Sequence, residues 1–568
     1  MENHHHHNHN HNQNDRREGH KIVVVMVPLP AQGHLNQLLH LSRLISSYGI
    51  PVHYVGTTTH SRQAKLRIHG WDPLAATNIH FHEFPTPSFL SPPPNPNVSF
   101  PSHILPLFYA SLRLREPVGT LLRSLSNTSK RVVVIHDSLM ASVVQDVPSI
   151  PNAESYSSES VSAFFISLFH WETGKPIPIE PEILKEAPSL ESCVTSEFME
   201  FLQTQEQHGR FNSGSLYNTS KSIEDPYLDM LAEDQIIGTK KQWAIGPFHP
   251  VEISKDEGSN RRHSCLEWLD KQVPKSVIFV SFGTTTSLSD EQIKELAIGL
   301  EQSGQNFIWV LRDADKGDIF AGEVRKAELP KGYEERVAGR GIVVRDWAPQ
   351  LEILGHPSTG GFMSHCGWNS CMESMSMGVP IATWPMHSDQ PANALLITKV
   401  LKVGLAVKDW ACRHEIVTSL MVENAVKKLM ASTEGGEIRK TAIDLGGSIR
   451  QSVEHGGVTL HYVGTTTHTR QAKLRVHGWD PLSVNNIHFH EFPSLSFLSP
   501  PQDPNVSFPS HIVPLLYASS KLRDPVATLL NALSTTTKRV VVIHDSLMAS
   551  LVQDIPSISN TESYSFHS

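Results

Sequence analysis

Short apolar runs, separated by longer amphipathic segments, recur along the chain. Lys21–Val27 is apolar after its first residue and is followed by a turn containing Pro and Gly, and then by leucines at helical spacing from His34 onward. Similar runs occur at Val52–Gly56, Ile79–Phe84 and Arg131–Ile135, and they alternate with helical or loop segments. This alternation predicts a doubly wound parallel sheet covered by helices, which is an α/β fold.

The alternation starts again after a polar connector at residues 254–260. Ser276–Phe282 predicts a second buried strand, and a helix with acidic residues in its first turn is expected to begin near Ser289. The sequence therefore predicts a second domain of the same kind. We expect a disordered His/Asn-rich tail at residues 1–19, a first domain at residues 20–245 and a second domain at residues 246–457. A carboxy-terminal segment at residues 458–568 follows them.

The carboxy-terminal segment is a partial duplicate of residues 50–160. Residues 51–157 recur without gaps as residues 459–565, so that Asp137 reappears as Asp545. The copy lacks the strand and the helix that precede residue 50. A sheet without its leading strand and helix has an exposed edge and an uncovered apolar face, so we expect this segment to be poorly stable alone. Two interpretations stay open: a fused fragment of a tandem gene copy or faulty gene model, and an appended module for pairing or regulation.

Composition restricts the classes of function. With 39% hydrophobic and 18% charged residues, the 568-residue chain is typical of a globular protein with room for two or three domains. A net charge of −9 gives no basic surface for nucleic acid or anionic lipid, so we expect a small-molecule substrate. No apolar run approaches the roughly 20 residues of a membrane helix, and the amino terminus is polar. We therefore expect a cytoplasmic monomer without a membrane span.

The densest candidate chemistry lies in the continuous segment Trp347–Gln390. An apolar run at Gly360–Ser364 predicts a strand that leads through a polar turn into a helix. Such an arrangement directs free backbone N–H groups and the positive end of the helix dipole at one point, which favours phosphate. His365, Asn369 and Ser370 add side-chain donors there. No cluster with metal-ligand spacing occurs, so we expect no metal site.

A candidate general base follows the first predicted strand. His34 ends the run Pro30-Ala31-Gln32-Gly33-His34, at the carboxyl end of a parallel strand, where ligands collect in open α/β sheets. An unperturbed imidazole, with a pKa of about 6.5, suits a base near neutral pH. Asp137 ends another predicted strand, and its carboxylate is placed to accept the imidazole Nδ1–H. Capping the next helix is the alternative role for Asp137.

The segment Trp347–Gln390 resembles, in sequence and in length, the carboxy-terminal signature box of plant UDP-dependent glycosyltransferases. The resemblance implies a GT-B arrangement, in which two Rossmann-like domains face each other across a cleft, with UDP-glucose as co-substrate and no cofactor. It also implies donor-site roles: uracil stacking by Trp347, nucleoside contacts by Ala348 and Gln350, ribose binding by Glu373, diphosphate binding by His365, Asn369, Ser370, Ser281 and Thr284, and sugar contacts by Trp368, Asp389 and Gln390.

The run that ends at His34 resembles the family's catalytic-histidine motif, and Asp137 matches the partner aspartate. The resemblance implies a single displacement that inverts the anomeric centre. The chain resembles the zeatin O-glucosyltransferase group over most of residues 21–456. The resemblance is clear in the sequence around His34 and in the runs Tyr54-Val55-Gly56 and His69-Gly70-Trp71. This implies glucose transfer to the side-chain hydroxyl of a cytokinin.

Three alternatives to that function stay open. They are a flavonoid, phenolic or terpenoid alcohol as acceptor, UDP-xylose as donor, and a non-catalytic relic that binds UDP-sugar. The last of these arises because members of the family usually continue past the equivalent of Gly456 into a final helix that crosses back onto the first domain. Since the duplicate begins at that point, we expect closure of the two domains to be impaired.

Overall fold

The structure is a computed structural model of the chain, and two compact units, Met1–Val453 and Glu454–Ser568, are described separately. The tail of residues 1–19, most of the Pro-rich segment 84–101, and Thr284 lie outside the described residues. The described residues are 22–67, 77–85, 100, 102–233, 240–251, 253, 263–283, 288–311, 328–345, 347–455, 460–465, 469–470, 472–473, 487–492, 522–536, 540–545, 552–553, 558 and 561–566.

The first sheet of the larger unit has seven strands, all paired in parallel, in the order β3-β2-β1-β4-β5-β6-β7. The four strands predicted in this region are confirmed, although β4 runs two residues further than expected, to Asp137. The strands are β1 Ile22–Val27, β2 Val52–Thr57, β3 Ile79–Phe84, β4 Arg131–Asp137, β5 Ala153–Glu159, β6 Gly214–Tyr217 and β7 Lys241–Ala244.

The second sheet of this unit has six parallel strands in the order β10-β9-β8-β11-β12-β13. Its first strand matches the predicted run that ends near Phe282. The two doubly wound sheets confirm the predicted fold class. The strands are β8 Val277–Ser281, β9 Asn306–Val310, β10 Gly341–Val344, β11 Thr359–Ser364, β12 Ile381–Thr383 and β13 Gly404–Ala406.

Helices and short helical turns connect these strands. The α-helices of the larger unit are Gln32–Ser46, Thr58–Arg67, Leu105–Ser111, Arg115–Thr128, Ala163–Glu172, Pro181–Leu184, Leu190–Cys193, Ser196–Gly209, Lys221–Glu233, Ser264–Leu269, Asp290–Ser303, Tyr333–Arg336, Gln350–Leu354, Trp368–Ser376, Gln390–Leu395, Ser419–Ala431 and Thr433–His455. The short turns are Ser102–Ile104, Leu112–Leu114, Ser138–Val143, Val147–Ser149, Leu396–Val400 and Trp410–Cys412. Among the described helices, none is both long enough and apolar enough to cross a bilayer.

Strand β1 lies in the interior of the first sheet, between β2 and β4, and its side chains are apolar on both faces. Val23 and Val25 pack into one core cluster, while Val24 and Met26 pack into another with Tyr54 and the leucines of helix Gln32–Ser46. Branched side chains suit a pleated, buried strand, and a strand covered on both faces reads as a continuous apolar run. The Tyr54 hydroxyl donates a hydrogen bond to the Leu35 carbonyl oxygen (2.9 Å), which ties the helix to β2.

The smaller unit contains two separate parallel pairs, β14 Leu460–Thr465 with β15 Ile487–Phe492, and β16 Val540–Asp545 with β17 Thr561–Phe566. Helix Arg523–Thr536 packs against β16. A small apolar cluster includes Leu530 from this helix and Val540 from β16, with Phe492 of β15 against it. Among the described residues, this cluster has fewer buried members than each of the core clusters of the larger unit.

Candidate active site

The first sheet reverses its strand order between β1 and β4, and two predicted site residues lie at that point. His34 is in the first turn of the helix that follows β1, and Asp137 is the last residue of β4. Crevices at the carboxyl ends of strands, where the order reverses, are the usual ligand sites of doubly wound sheets. The topology therefore brings together two residues that are about a hundred positions apart in sequence.

His34 and Asp137 form a close pair. The imidazole Nδ1 lies 2.6 Å from the carboxylate Oδ2, and Asp137 is fully buried while about a quarter of the His34 side chain is exposed. Burial by itself would lower the pKa of His34, but the charge of Asp137, the hydrogen bond to it and the charge of Asp389 raise it above its ordinary value. The carboxylate thus stabilises the protonated imidazole, and Nε2 is the ring nitrogen that remains for a substrate proton.

Further hydrogen bonds fix the Asp137 carboxylate. Oδ2 accepts from the Ser160 hydroxyl (2.7 Å), and Oδ1 accepts from the Leu139 backbone N–H (3.0 Å), so the helix-capping role also occurs. Burial would raise the pKa of Asp137, but His34, Ser160 and the Leu139 N–H together lower it. Ser160 was not predicted as a site residue, because a serine that follows a strand carries no signal of its own in the sequence.

A partly buried carboxyl group near this pair was also missed. Glu159 ends β5 beside β4 and accepts a hydrogen bond from the Ser157 hydroxyl (2.6 Å). Burial raises the pKa of Glu159, while hydrogen bonds from Ser157 and Ser138 lower it and the charge of Asp137 raises it further. A titratable group in this position belongs to the environment of the candidate base.

The second sheet reverses its order between β8 and β11. The predicted diphosphate residue Ser281 is the last residue of β8, and His365 directly follows β11. Both side chains are buried. The His365 ring lies against Gly283 and Gly367, where an added Cβ would come within 2.6 Å of Nε2 in each case. Gly283 also has a φ of +74°, so this position requires glycine for both reasons. The other predicted residue of this loop, Thr284, lies outside the described residues.

His365 is held as a neutral imidazole. Burial lowers its pKa to about 4. Its buried Nδ1 has no hydrogen-bond partner within the described part of the chain. The next residue, Cys366, has a φ of +66°, a strained conformation for a residue other than glycine and one that clusters at ligand sites. The turn before helix Trp368–Ser376 therefore contains a buried donor or acceptor without a protein partner, at the point predicted to bind phosphate.

Three predicted nucleotide residues form one hydrogen-bonded group. Gln350 Nε2 donates to the Ser370 hydroxyl oxygen (3.0 Å) and to Glu373 Oε2 (2.8 Å). Burial raises the pKa of Glu373 to about 7, although the Gln350 hydrogen bond lowers it. The group joins the start of helix Gln350–Leu354 to helix Trp368–Ser376.

Trp347 and Ala348 lie immediately before that group. The Trp347 side chain is 64% exposed, which is unusual for so large an apolar residue, and its indole meets the His263 ring edge-on at 6.2 Å. Ala348 is buried in the core beneath it. The exposed indole of Trp347, which is supported by the buried Ala348, is suited to stacking against a planar ring.

The last two residues of the box shape the adjoining loop. Asp389 Oδ2 accepts from Asn393 Nδ2 (2.7 Å), and burial raises the pKa of Asp389 to about 6, although that hydrogen bond and the charge of His34 lower it. Gln390 is buried, and its amide oxygen accepts from the backbone N–H groups of Met386 (2.9 Å) and His387 (3.2 Å). The Gln390 amide oxygen is therefore engaged by its own loop.

Trp368 and Asn369 connect the two domains. The buried Trp368 indole N–H donates to the Asn218 carbonyl oxygen (2.9 Å), so any sugar contact by Trp368 falls to its backbone. Asn369 Nδ2 donates to the carbonyl oxygen of Gly33 (2.7 Å), the residue before the candidate base. The predicted donor residues of one domain therefore contact the catalytic turn of the other.

The final helix of the larger unit contacts the first domain. In helix Thr433–His455, the Ser452 hydroxyl oxygen lies 3.0 Å from that of Ser220. Ile449 of this helix packs in an apolar cluster with Phe164 and Tyr227 of the first domain. The helix ends before Gly456, so the expected loss of a further crossing helix after that point stays a prediction.

No cluster of three or more His, Cys, Asp or Glu side chains is arranged to hold a metal ion in the described parts of the chain.

Comparisons with known families place the chain in a class. The profile described as "Glycosyltransferase, N-terminal domain" matches residues 20–250 and again residues 449–568, and the profile described as "UDP-glucoronosyl and UDP-glucosyl transferase" matches residues 258–437. The second match of the first profile coincides with the repeat in the sequence. The chain belongs to the plant UDP-dependent glycosyltransferase family, and it is a UDP-glycosyltransferase.

Two relatives are similar over nearly their whole length. The zeatin O-glucosyltransferase of Phaseolus lunatus is 59% identical over 447 residues, which cover 78% of this chain and 96% of that protein. The zeatin O-xylosyltransferase of Phaseolus vulgaris is 57% identical over 441 residues, which cover 77% and 96%.

A solved structure of the same class is similar in fold. It is that of Phytolacca americana UGT2 in complex with UDP-2-fluoro-glucose and pterostilbene, with 27% identity, a TM-score of 0.61 and coverage of 77% of this chain and 96% of the other. A transferase from Siraitia grosvenorii in complex with UDP gives a TM-score of 0.60 with 28% identity. These similarities agree with the GT-B arrangement of two Rossmann-like domains.

Proposed function

We propose that this chain transfers glucose from UDP-glucose to the side-chain hydroxyl of zeatin, with inversion at the anomeric carbon. The His34–Asp137 pair, held against the donor box through the contact from Asn369 to Gly33, is the observation that carries the proposal. The high identity to a zeatin O-glucosyltransferase over almost all of that protein supports the acceptor.

The first step is removal of a proton. His34 Nε2 takes the proton of the acceptor hydroxyl. At the same time, the hydroxyl oxygen attacks the anomeric carbon from the face opposite the diphosphate. The bond from that carbon to the β-phosphate oxygen breaks, and its electron pair leaves with UDP. Asp137 keeps Nδ1 protonated and stabilises the imidazolium that forms.

The second requirement is stabilisation of the departing diphosphate. In this proposal the amino-terminal end of helix Trp368–Ser376, together with His365, Ser370 and Asn369, binds the phosphates. Because His365 is neutral, it contributes as a hydrogen-bond donor and not as a charge. Trp347 stacks on uracil, Gln350 contacts the nucleoside, and Glu373, which accepts a hydrogen bond from Gln350, binds the ribose.

Purified full-length chain incubated with zeatin and UDP-glucose tests the proposal. We expect a zeatin O-glucoside with the opposite anomeric configuration to the donor. Parallel reactions with UDP-xylose and with a flavonol decide the donor and the acceptor. Product from the flavonol alone would overturn the zeatin assignment, and a faster reaction with UDP-xylose would overturn the donor assignment.

His34→Ala separates catalysis from binding. Because a general base typically contributes roughly 10²- to 10⁴-fold, we expect turnover to fall by about that factor. UDP affinity, measured by calorimetry, should stay close to that of the unchanged chain, because the proposed UDP contacts lie in the other domain. Unchanged turnover would show that another group is the base.

A further inference from the structure

The carboxylate of Asp389 is held by a residue that lies beyond the donor box. Asn393 is one turn further along helix Gln390–Leu395, and its Nδ2 donates to Asp389 Oδ2 (2.7 Å). Residues four apart at the start of a helix lie on one face, so the spacing itself favours this contact. The same Nδ2 donates to the Cys366 carbonyl oxygen (2.9 Å), in the turn predicted to bind phosphate. One amide therefore contacts both a predicted sugar residue and the phosphate turn.

The side-chain amide of Asn393 is buried and has all its hydrogen-bonding groups in use. The residue is 0% exposed, and its Oδ1 accepts a hydrogen bond from the Ser162 hydroxyl (2.7 Å). An amide has two donor hydrogens and one acceptor oxygen, and here the hydrogens go to Asp389 and Cys366 while the oxygen binds Ser162. A buried polar network of this kind holds each of its members in one orientation.

Ser162 belongs to the first domain, so its contact with the buried amide crosses between the domains. It lies at the start of the helix that follows β5 and is itself buried. Two residues earlier, the Ser160 hydroxyl donates to Asp137, the partner of His34. Against the effect of burial, the charges of Asp137 and Asp389 raise the pKa of His34. The short segment after β5 therefore contacts Asp137 directly and Asp389 through the amide.

We propose that Asn393 is a positioning residue, which orients the Asp389 carboxylate towards the donor sugar and links that orientation to contact with Ser162 of the first domain. This inference rests on the sugar contact of Asp389 in the proposed function. Because Asn393 engages Oδ2, Oδ1 is the oxygen that accepts a hydrogen bond from a sugar hydroxyl. If the domains separate, the buried amide loses its Ser162 partner at a cost in free energy, so an oriented Asp389 accompanies contact between the domains.

Calorimetry on the full-length chain, with UDP and UDP-glucose as separate ligands, tests this. The two ligands differ by the sugar, so the ratio of their dissociation constants reports the sugar contact. Asn393→Ala should lose about tenfold more affinity for UDP-glucose than for UDP, because Asp389 loses a hydrogen bond that orients its charge. Its remaining affinity for UDP shows that the second domain is folded.

Ser303→Ala is the matched control. The Ser303 hydroxyl is also buried in the second domain and donates to the Leu300 carbonyl oxygen (2.7 Å), but it lies at the end of helix Asp290–Ser303, outside the donor box. The variant loses a buried hydrogen bond without touching the Asp389 network. We expect the ratio of the two dissociation constants to stay within about twofold of that of the unchanged chain.

Ser162→Ala reaches the same amide from the first domain and serves as a second variant if Asn393→Ala does not fold. It should lower the affinity for UDP-glucose relative to UDP by about threefold, because Asn393 keeps its bond to Asp389 but loses its anchor. The double variant should be no weaker than Asn393→Ala alone, since members of one network are not additive. Two independent, multiplying effects would overturn the link to the first domain.

The pH dependence of UDP-glucose binding separates positioning from a general loss of structure. Burial raises the pKa of Asp389 to about 6, while the hydrogen bond from Asn393 and the charge of His34 lower it. The thiols of Cys193 and Cys371 also face Asp389, and burial raises their pKa, so they stay uncharged. In Asn393→Ala, affinity for UDP-glucose relative to UDP should therefore begin to fall, on acidification, at a higher pH. The control variant should show no shift, and an unshifted Asn393→Ala would contradict the proposal.

Asp389→Ala distinguishes a failure of this inference from a failure of the proposed function. We expect Asp389→Ala to lose at least as much affinity for UDP-glucose as Asn393→Ala does. A loss in Asp389→Ala with none in Asn393→Ala would overturn the positioning role and leave the proposed function in place. Equal UDP-glucose binding by Asp389→Ala and the unchanged chain would overturn the sugar contact of Asp389 and, with it, this inference.

Discussion

Two copies of nearly the same sequence lie in one chain and reach different structures. In residues 51–157, strands β2 and β4 are joined by β1, and Tyr54 is fully buried with its hydroxyl bonded to Leu35. In residues 459–565, the equivalent strands form two separate pairs and Tyr462 is well exposed. The comparison teaches that local sequence specifies a strand and its nearest partner, whereas burial depends on a neighbour that the repeat does not include.

The same comparison applies to the chemistry. Asp137 accepts hydrogen bonds from His34 and Ser160, and the histidine comes from the segment before residue 50. Asp545 ends the equivalent strand, but no equivalent of His34 was copied with it. A carboxylate without the imidazole cannot form the proton-accepting pair, so we assign catalysis to the larger unit alone.

The largest expected difference between the copies is in catalysis. Asp137→Asn should lower turnover by about 10²-fold or more, because the imidazolium loses its counter-charge and the preferred tautomer is no longer fixed. Asp545→Asn, the same change in the second copy, should leave turnover within about twofold of the unchanged chain. Steady-state rates with saturating substrates measure both. Equal losses would mean that the second copy takes part in the reaction.

The next difference is in stability. Tyr54→Ala should destabilise the larger unit by about 3–5 kcal/mol, because it opens a cavity in the core and leaves the Leu35 carbonyl without its side-chain donor. Tyr462→Ala should change the stability of that unit by less than about 0.5 kcal/mol. Urea unfolding, monitored by the loss of UDP binding, measures the stability of the larger unit specifically. A comparable loss for Tyr462→Ala would show that the larger unit depends on the smaller one.

The two copies should also differ, by a smaller effect, in how each aspartate influences the pH dependence of kcat/KM. Because the pKa of His34 is raised above its ordinary value, kcat/KM should fall as the pH drops through that raised value and the base becomes protonated. Asp137→Asn removes the main charge that raises the pKa, so this acidic limb should move to lower pH. Asp545→Asn should leave the limb in place. Rate profiles between about pH 5 and 9 measure the shift; movement of the limb to higher pH would contradict the assigned pair.

The smallest effect should come from removing residues 456–568. The described site residues all precede this segment, and helix Thr433–His455 already contacts the first domain. We expect kcat and KM for both substrates to stay within about twofold. Loss of activity in a shortened chain that still binds UDP would show that residues 456–568 support catalysis.

Much of this protein follows from its sequence. Apolar runs predicted the first strands of each sheet, because strands buried on both faces are continuously apolar. The box Trp347–Gln390 predicted a phosphate site, because a strand, a turn and a helix start are encoded in adjacent residues. The boundaries were less certain, since β4 extends to Asp137 and the first helix begins at Gln32 instead of His34.

Other features were decided only by the tertiary structure. Glu159 and Ser160 reach the site from the end of β5, and Asn218 from the end of β6, and nothing near them in sequence indicates this. The indole of Trp368, a residue predicted beside the sugar, donates its N–H to the Asn218 carbonyl oxygen of the first domain, and the sugar contact of Trp368 stays a prediction.

The sequence by itself determined the class of fold and pointed to the residues that we propose as the donor box and the catalytic pair. Only the tertiary structure decided that His34 and Asp137 meet, because their contact depends on β1 lying beside β4. It also decided that one copy of a repeated sequence is a complete sheet and the other an open one. The reason is physical: backbone hydrogen bonds between strands and the burial of apolar faces are satisfied by partners distant in sequence, and the second copy lacks one of them.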